Sequence, residues 1–123
     1  MRLIPVLILI AVATSFTACA QDNRVIRIAK IRIDPAHLQE YQAAVKEQVE
    51  TAVRVEPGVL TLYAVYDKKD ATNVTVFEIY ADQAAYQSHI QTEHFRKYKT
   101  ATASFVKSLE LVDVNAIAMG SKK

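Results

Sequence analysis

Two histidines with a threonine between them lie in the second half of the chain, in the segment HIQTEHF at 89–95. Imidazole exchanges a proton near neutral pH, so either ring could act as a general base. Thr92 is a favourable helix N-cap and would place His94 in the first turn of a helix. There the helix dipole disfavours the imidazolium and keeps the ring neutral. We therefore predict His94 as a catalytic base, with a packing or capping histidine as the alternative.

Aromatic side chains near these histidines predict an apolar binding pocket. Tyr98 follows His94 by four residues and shares its helix face. His89 lies about 140° from His94 around a continuous helix, and a break at Thr92 leaves its direction open. We predict four substrate-binding side chains, each with a structural or core role as the alternative: His89, Phe95, Tyr98 and Tyr63.

A strand-like run at 73–81 carries two more catalytic candidates, Glu78 and Tyr80. Alternation along a strand places both on one face, whereas Phe77 and Ile79 point to the other. If the first face looks toward helices, Glu78 could orient a histidine or a substrate, and Tyr80 could donate to an oxyanion. If it looks toward a partner subunit, Glu78 would bond across an interface. Both faces are apolar, so periodicity leaves the choice open.

Composition narrows the chemistry further. The histidines at 37, 89 and 94 include no i,i+4 pair, and the one cysteine has another predicted role, so we predict no metal site. No glycine-rich loop is present to bind a nucleotide, so we expect no cofactor. The charges are scattered, and the net charge is only +2. This pattern argues against a nucleic-acid partner.

Hydrophobic periodicity and turn residues predict the elements that would position these side chains. The predicted order is a strand at 24–33, a helix from Asp34-Pro35 to Glu56, strands at 59–67 and 73–81, a helix at 83–91 followed after Thr92 by another, and a strand at 108–119. Local pairing and right-handed crossovers favour an α+β ferredoxin-like βαββαβ fold, with an antiparallel sheet and the helices on one face. The second apolar face of the sheet predicts a homodimer.

The first residues resemble an export signal. Met1-Arg2 precedes an apolar run, Leu3 to Ala13, which is too short to span a hydrocarbon core of about 30 Å. The segment at 16–19 resembles a lipobox, so residues 1–19 are predicted to be a signal peptide and Cys19 to be lipidated. Lipidation would explain an unpaired thiol in an oxidising compartment.

We accordingly expect a bacterial lipoprotein anchored in the cell envelope, at the periplasmic face of the outer membrane. Cleavage near Ala20, which would release a soluble periplasmic protein, is the alternative. The remaining chain divides into a tether at 20–23, one domain at 24–119 and a tail at 120–123.

Three local sequences, in order, resemble the antibiotic biosynthesis monooxygenase (ABM) family: EPG at 56–58, FEIYAD at 77–82 and HIQTEHF at 89–95. The similarity covers roughly residues 24–118. It implies a dimeric α+β barrel in which two sheets face each other, with a pocket between each sheet and its own helices. Tyr80 stands where many members have Trp, and Lys99 stands where the haem-degrading branch has His. Both departures count against haem degradation.

The resemblance implies a range of activities. Several members are cofactor-free oxygenases acting with O₂ on quinols or polyketide phenols, and others isomerise small dicarbonyl compounds. We expect a cofactor-independent monooxygenase that oxidises a quinol or related phenolic molecule in the cell envelope. The alternatives are an isomerase acting through an enediolate, and a non-catalytic lipoprotein that binds a small ligand.

Overall fold

The computed structural model describes residues 2–3, 10–13 and 22–123. Cys19 and most of the predicted signal peptide lie outside the described residues. No helix within the described ranges is long and apolar enough to cross a membrane. The elements are β1 (Val25–Ile33), α1 (Leu38–Val55), β2 (Val59–Tyr66), β3 (Asn73–Tyr80), α2 (Gln83–His89), α3 (Glu93–Thr102) and β4 (Val106–Val114).

The four strands form one antiparallel sheet in the order β2-β3-β1-β4. The hairpin of β2 and β3 lies on one side of β1, and β4 pairs with the other side of β1. The βαββαβ order and this strand order are those of the ferredoxin-like fold, so the predicted fold class is confirmed. The break in the second helical segment also lies where expected, because Thr92 caps α3 by accepting from the Phe95 N–H.

Local sequence explains where α1 begins and ends. The Asp34 carboxylate accepts from the Ala36 N–H at 3.0 Å, and Pro35 opens a 3-10 turn that leads into the helix. The helix ends at Val55, before Glu56-Pro57, because proline cannot donate a hydrogen bond and restricts the preceding residue.

The last strand is displaced from its predicted position at 108–119 and runs over Val106–Val114. Its partner β1 begins at Val25, and the ladder with β1 ends at the pair Ile26–Val114, so residues beyond 114 have no strand to pair with. Phe105 follows α3 and stacks on the His37 ring, with 4.3 Å between the ring centroids.

The core lies between the sheet and the helices. Its buried members on α1 include Tyr41 and Val45, which pack in one cluster with strand residues such as Ala29 and Val76. Register pairs Ala29 with Val76, so the helices cover the face that carries the odd-numbered residues of β1 and the even-numbered residues of β3. This arrangement confirms that the helices lie on one face of the sheet.

Gly58 marks a close approach between the α1–β2 turn and α2. A Cβ atom added at Gly58 would lie 2.5 Å from the Ala85 Cβ, whereas one added at Gly120 would meet nothing within 4 Å. We expect Gly58→Ala to lower the free energy of unfolding by about 1–3 kcal/mol, the usual range for overpacking. Urea denaturation would measure the difference, with Gly120→Ala as the matched control.

The double variant Gly58→Ala/Ala85→Gly tests the cause of that loss, since it removes the atom with which the new Cβ would clash. It should recover part of the lost stability, less the intrinsic penalty of a glycine in a helix, about 1 kcal/mol. Equal stability of Gly58→Ala and Gly120→Ala would contradict the close approach.

Candidate active site

A partly open cavity of about 100 Å³ lies between the sheet and the helices. Its wall is mainly apolar, with side chains from all four strands and all three helices, among them Ile31, Val45, Leu62 and Phe95. The ionisable and amide side chains that reach it, apart from tyrosines, are Arg27, Gln48, Glu78, His89 and Lys99. The cavity therefore combines an apolar enclosure with a few convergent polar groups.

Glu78 and Tyr80 both line this cavity, because the even-numbered residues of β3 face the helices. This placement answers the question that periodicity left open. The Tyr80 hydroxyl donates to Glu78 Oε1 at 2.5 Å. Burial raises the pKa of the Glu78 carboxyl, although the Tyr80 hydroxyl and Arg27 act in the opposite direction. A carboxylate with a raised pKa is a stronger base than an exposed one.

Tyr80 is fully buried and stays protonated, because burial and the Glu78 charge raise the pKa of its hydroxyl. Beside it, the Arg27 guanidinium stacks over the Tyr86 ring at 4.2 Å from the centroid. Arg27 Nε donates to Asp113 Oδ1 at 2.8 Å, and its strand register places it opposite Glu78. The cationic side chain is thus held at the cavity wall, next to the buried carboxyl.

A second polar cluster joins the helix ends behind the cavity wall. Glu56 Oε2 lies 2.8 Å from His89 Nδ1 and 2.7 Å from His94 Nε2. The other nitrogen of the His89 ring lies 3.1 Å from Gln48 Nε2. His89 is 1% exposed, so its ring is fixed in place by these neighbours. One carboxylate oxygen therefore serves two imidazole rings from different helices.

The structure separates the predicted site residues into three groups. His89, Phe95 and Tyr98 line the cavity, and the Tyr98 hydroxyl lies 2.7 Å from that of Tyr41. His94 is not among the cavity-lining residues and borders a separate cleft between α1 and α3. Tyr63 is 63% exposed and pairs with Phe77 on the sheet face away from the helices.

Sequence reasoning did not select three polar residues of these clusters: Arg27, Gln48 and Glu56. Gln48 carried a usable signal, because it falls three residues after Val45 on the buried side of α1, where a polar residue is unexpected. Glu56 was interpreted as part of the turn that ends α1 and of the EPG segment that resembles the family, without a role at the site. Its proximity to two histidines depends on how the helix ends pack, which one sequence does not reveal.

The family comparison gives the chain its class. The family model described as antibiotic biosynthesis monooxygenase matches residues 24–101. A protein of Bacteroides thetaiotaomicron, named as a candidate antibiotic biosynthesis monooxygenase, is 50% identical in sequence and has a TM-score of 0.79. That match covers 82% of this chain and 96% of the other. This chain belongs to the antibiotic biosynthesis monooxygenase family.

More distant structures agree on the fold. A Lactobacillus acidophilus protein, named as a candidate monooxygenase, is 30% identical with a TM-score of 0.72, covering 75% of this chain and 44% of that longer one. A Nitrosomonas europaea structure at 17% identity has the same TM-score of 0.72, covers 76% of this chain and 99% of that one, and shows the fold alone. No curated protein gives a significant match. The family and its named members support a monooxygenase-like function on a small molecule.

Proposed function

We propose that this protein is a monooxygenase that oxidises a quinol or a related phenol with O₂ inside the cavity described above. The observation that carries the proposal is the buried Glu78–Tyr80 pair in an otherwise apolar cavity. The carboxylate supplies a base for a phenolic proton. Once Glu78 has taken that proton, the hydroxyl of Tyr80 no longer has to donate to the carboxylate and can donate to the oxygen that has become negative.

The reaction proceeds from the phenolate, which gives an electron to O₂ far more readily than the phenol does. The proton moves to Glu78, and the resulting phenoxyl radical and superoxide combine at a ring carbon to give a peroxide. Loss of water then breaks the O–O bond and leaves a carbonyl. One oxygen atom enters the product and the other leaves as water, so a quinol and O₂ give a hydroxyquinone and water. The substrate supplies all the electrons.

In this proposal Glu78 is the base rather than His94, because Glu78 reaches the cavity and His94 borders the cleft behind it. The role of His94 as a base stays a prediction that the same assay tests. The panel should include reduced quinols and polyphenols, with oxygen uptake measured by the purified chain and the product analysed after reaction with ¹⁸O₂. One labelled oxygen atom per product is the expected result. Turnover of a dicarbonyl compound without O₂ would support the isomerase instead.

We also propose a homodimer formed through the sheet face opposite the helices. That face carries Tyr63 and Val65, which are 63% and 57% exposed, and the half-buried Phe77 and Ile28. The register places Phe77 directly between Ile28 on β1 and Tyr63 on β2, so these side chains form a continuous apolar surface. A large apolar surface of this kind is typical of an interface.

We further propose that the protein is attached to the cell envelope through a lipid on Cys19. This proposal is supported by the sequence around Cys19 alone, because Cys19 lies outside the residues that the structure describes. The variant Cys19→Ala should shift most of the protein from the membrane fraction to the soluble periplasmic fraction, because it lacks the acyl chains. Fractionation followed by immunoblotting measures the shift. Membrane association that survives the substitution would contradict a lipid anchor.

A further inference from the structure

The ends of three helices bring together three side chains that can coordinate a metal ion. Glu56 follows the last residue of α1, His89 is the last residue of α2, and His94 lies in the first turn of α3. Their ligand atoms all lie within 4.8 Å of one another. We propose that Glu56, His89 and His94 form a binding site for a divalent transition-metal ion of the Zn²⁺ type. Two imidazoles and one carboxylate are a ligand set that such ions favour.

The spacing of the ligand atoms is close to what an ion needs. Glu56 Oε2 lies 2.8 Å from His89 Nδ1 and 2.7 Å from His94 Nε2. Ligand atoms about 2.1 Å from a common ion are roughly 3.0 Å apart at right angles and about 3.4 Å apart at the tetrahedral angle. For one ion to contact all three ligand atoms, the carboxylate would therefore have to move outward and the two rings would have to turn toward a common point.

The surroundings of His89 fit a metal-bound ring. When Nδ1 coordinates an ion, Nε2 carries the proton and needs an acceptor. Gln48 lies 3.1 Å from Nε2, and rotating its amide by half a turn presents an oxygen in place of the nitrogen. Both side chains are buried, Gln48 at 6% exposure and His89 at 1%, so the ring orientation is set before an ion arrives.

Charge and access also favour a cation. A metal ion binds the unprotonated nitrogen of each ring, so a bound divalent cation would meet two neutral donors and one carboxylate. The side chains of Glu56 and His94 are 12% and 17% exposed, so an ion can enter from the solvent side. Lys97 shares the cleft beside His94, but its ammonium group is paired with Glu47 at 2.7 Å. The ion would tie together the ends of α1, α2 and α3, next to the cavity wall to which His89 contributes.

Metal titration of the full chain, purified in detergent without an affinity tag and stripped with a chelator, tests the site. Calorimetry with Zn²⁺ should show one ion bound per chain, and Co²⁺ should give the visible absorption of a nitrogen- and oxygen-ligated ion. At a free ion concentration a hundred times Kd, the Tm should rise by about 10–20 °C, because the ion binds the folded state.

His94→Ala and Glu56→Gln should each weaken binding by at least about 10-fold, because each removes one of three protein ligands. Glu56→Gln preserves the shape of the side chain, and circular dichroism would show that both variants fold. His37→Ala is the matched control, since it removes an exposed histidine outside the cluster and should leave Kd unchanged. Absence of saturable binding, or equal binding by His94→Ala and the wild type, would mean that Glu56 serves only as a shared hydrogen-bond acceptor and would overturn the proposal.

Discussion

The variant Glu78→Gln is expected to lower kcat/KM for quinol oxidation by at least about 100-fold, since general base catalysis contributes roughly 10²–10⁴-fold. Glutamine has nearly the same shape and can still accept from Tyr80, but it cannot take the phenolic proton. Initial rates of oxygen uptake over a range of substrate concentrations measure the loss. Glu40→Gln is the matched control, because Glu40 is an exposed glutamate at the start of α1 and should retain wild-type activity.

Variants of Tyr80 and His94 provide two further tests of Glu78 as the base. Tyr80→Phe should lower kcat by about 10²–10³-fold, the usual effect of removing an oxyanion donor. Activity that survives in Glu78→Gln but is lost in His94→Ala would transfer the base to His94. If both variants keep wild-type activity, neither Glu78 nor His94 is the base.

The raised pKa of Glu78 has a consequence for pH dependence. The base acts only when ionised, so kcat/KM should rise with pH through a value above that of an ordinary glutamate. The folded state holds this proton more tightly than the unfolded state. The free energy of unfolding should therefore fall as pH increases from the ordinary glutamate pKa through the raised one. Glu78→Gln should lack this fall, which chemical denaturation over that pH range would detect.

The variant Phe77→Arg should convert the proposed dimer to a monomer at micromolar concentration. Phe77 lies at the centre of the apolar surface opposite the helices, between Ile28 and Tyr63. A guanidinium on each of two facing sheets would place like charges in a desolvated interface, which neither subunit can neutralise. Analytical ultracentrifugation at several protein concentrations would measure the change in mass.

Val53→Arg is the matched control for the dimer test. Val53 is an apolar residue on α1 that is 47% exposed. The substitution therefore introduces the same charge on the helical side of the domain. It should leave the dimer intact. A wild-type chain that sediments as a folded monomer would refute the dimer directly. A dimer that persists in Phe77→Arg but dissociates in Val53→Arg would place the interface on the helices.

Local sequence was sufficient to predict most of the fold. The cap at Asp34, the stop at Pro57, the alternation in β3 and the cap at Thr92 each depend on interactions within a few residues. Interactions of this range are encoded directly in the order of side chains, so the elements and their βαββαβ order followed. The end of β4 was wrong because it depends on where the partner strand β1 begins, which is a property of the assembled sheet.

The candidate site also depends partly on local sequence and partly on tertiary structure. The types and spacing of five residues on a strand and two helices predicted that they belong to the site, and all five line the cavity: Glu78, Tyr80, His89, Phe95 and Tyr98. Their roles toward a substrate stay predictions. Only the tertiary structure showed that the Glu78 face looks toward the helices, since both faces of β3 are apolar.

Long-range packing also determines which side chains His89 and His94 contact. His89 and His94 are five residues apart in sequence, yet both meet Glu56, which is more than thirty residues away. Spacing along a single helix could not predict this cluster, because its three members come from the ends of three different helices. The fold brings these ends together by burying the apolar faces of the helices on one sheet, and the polar residues at their ends meet as a result.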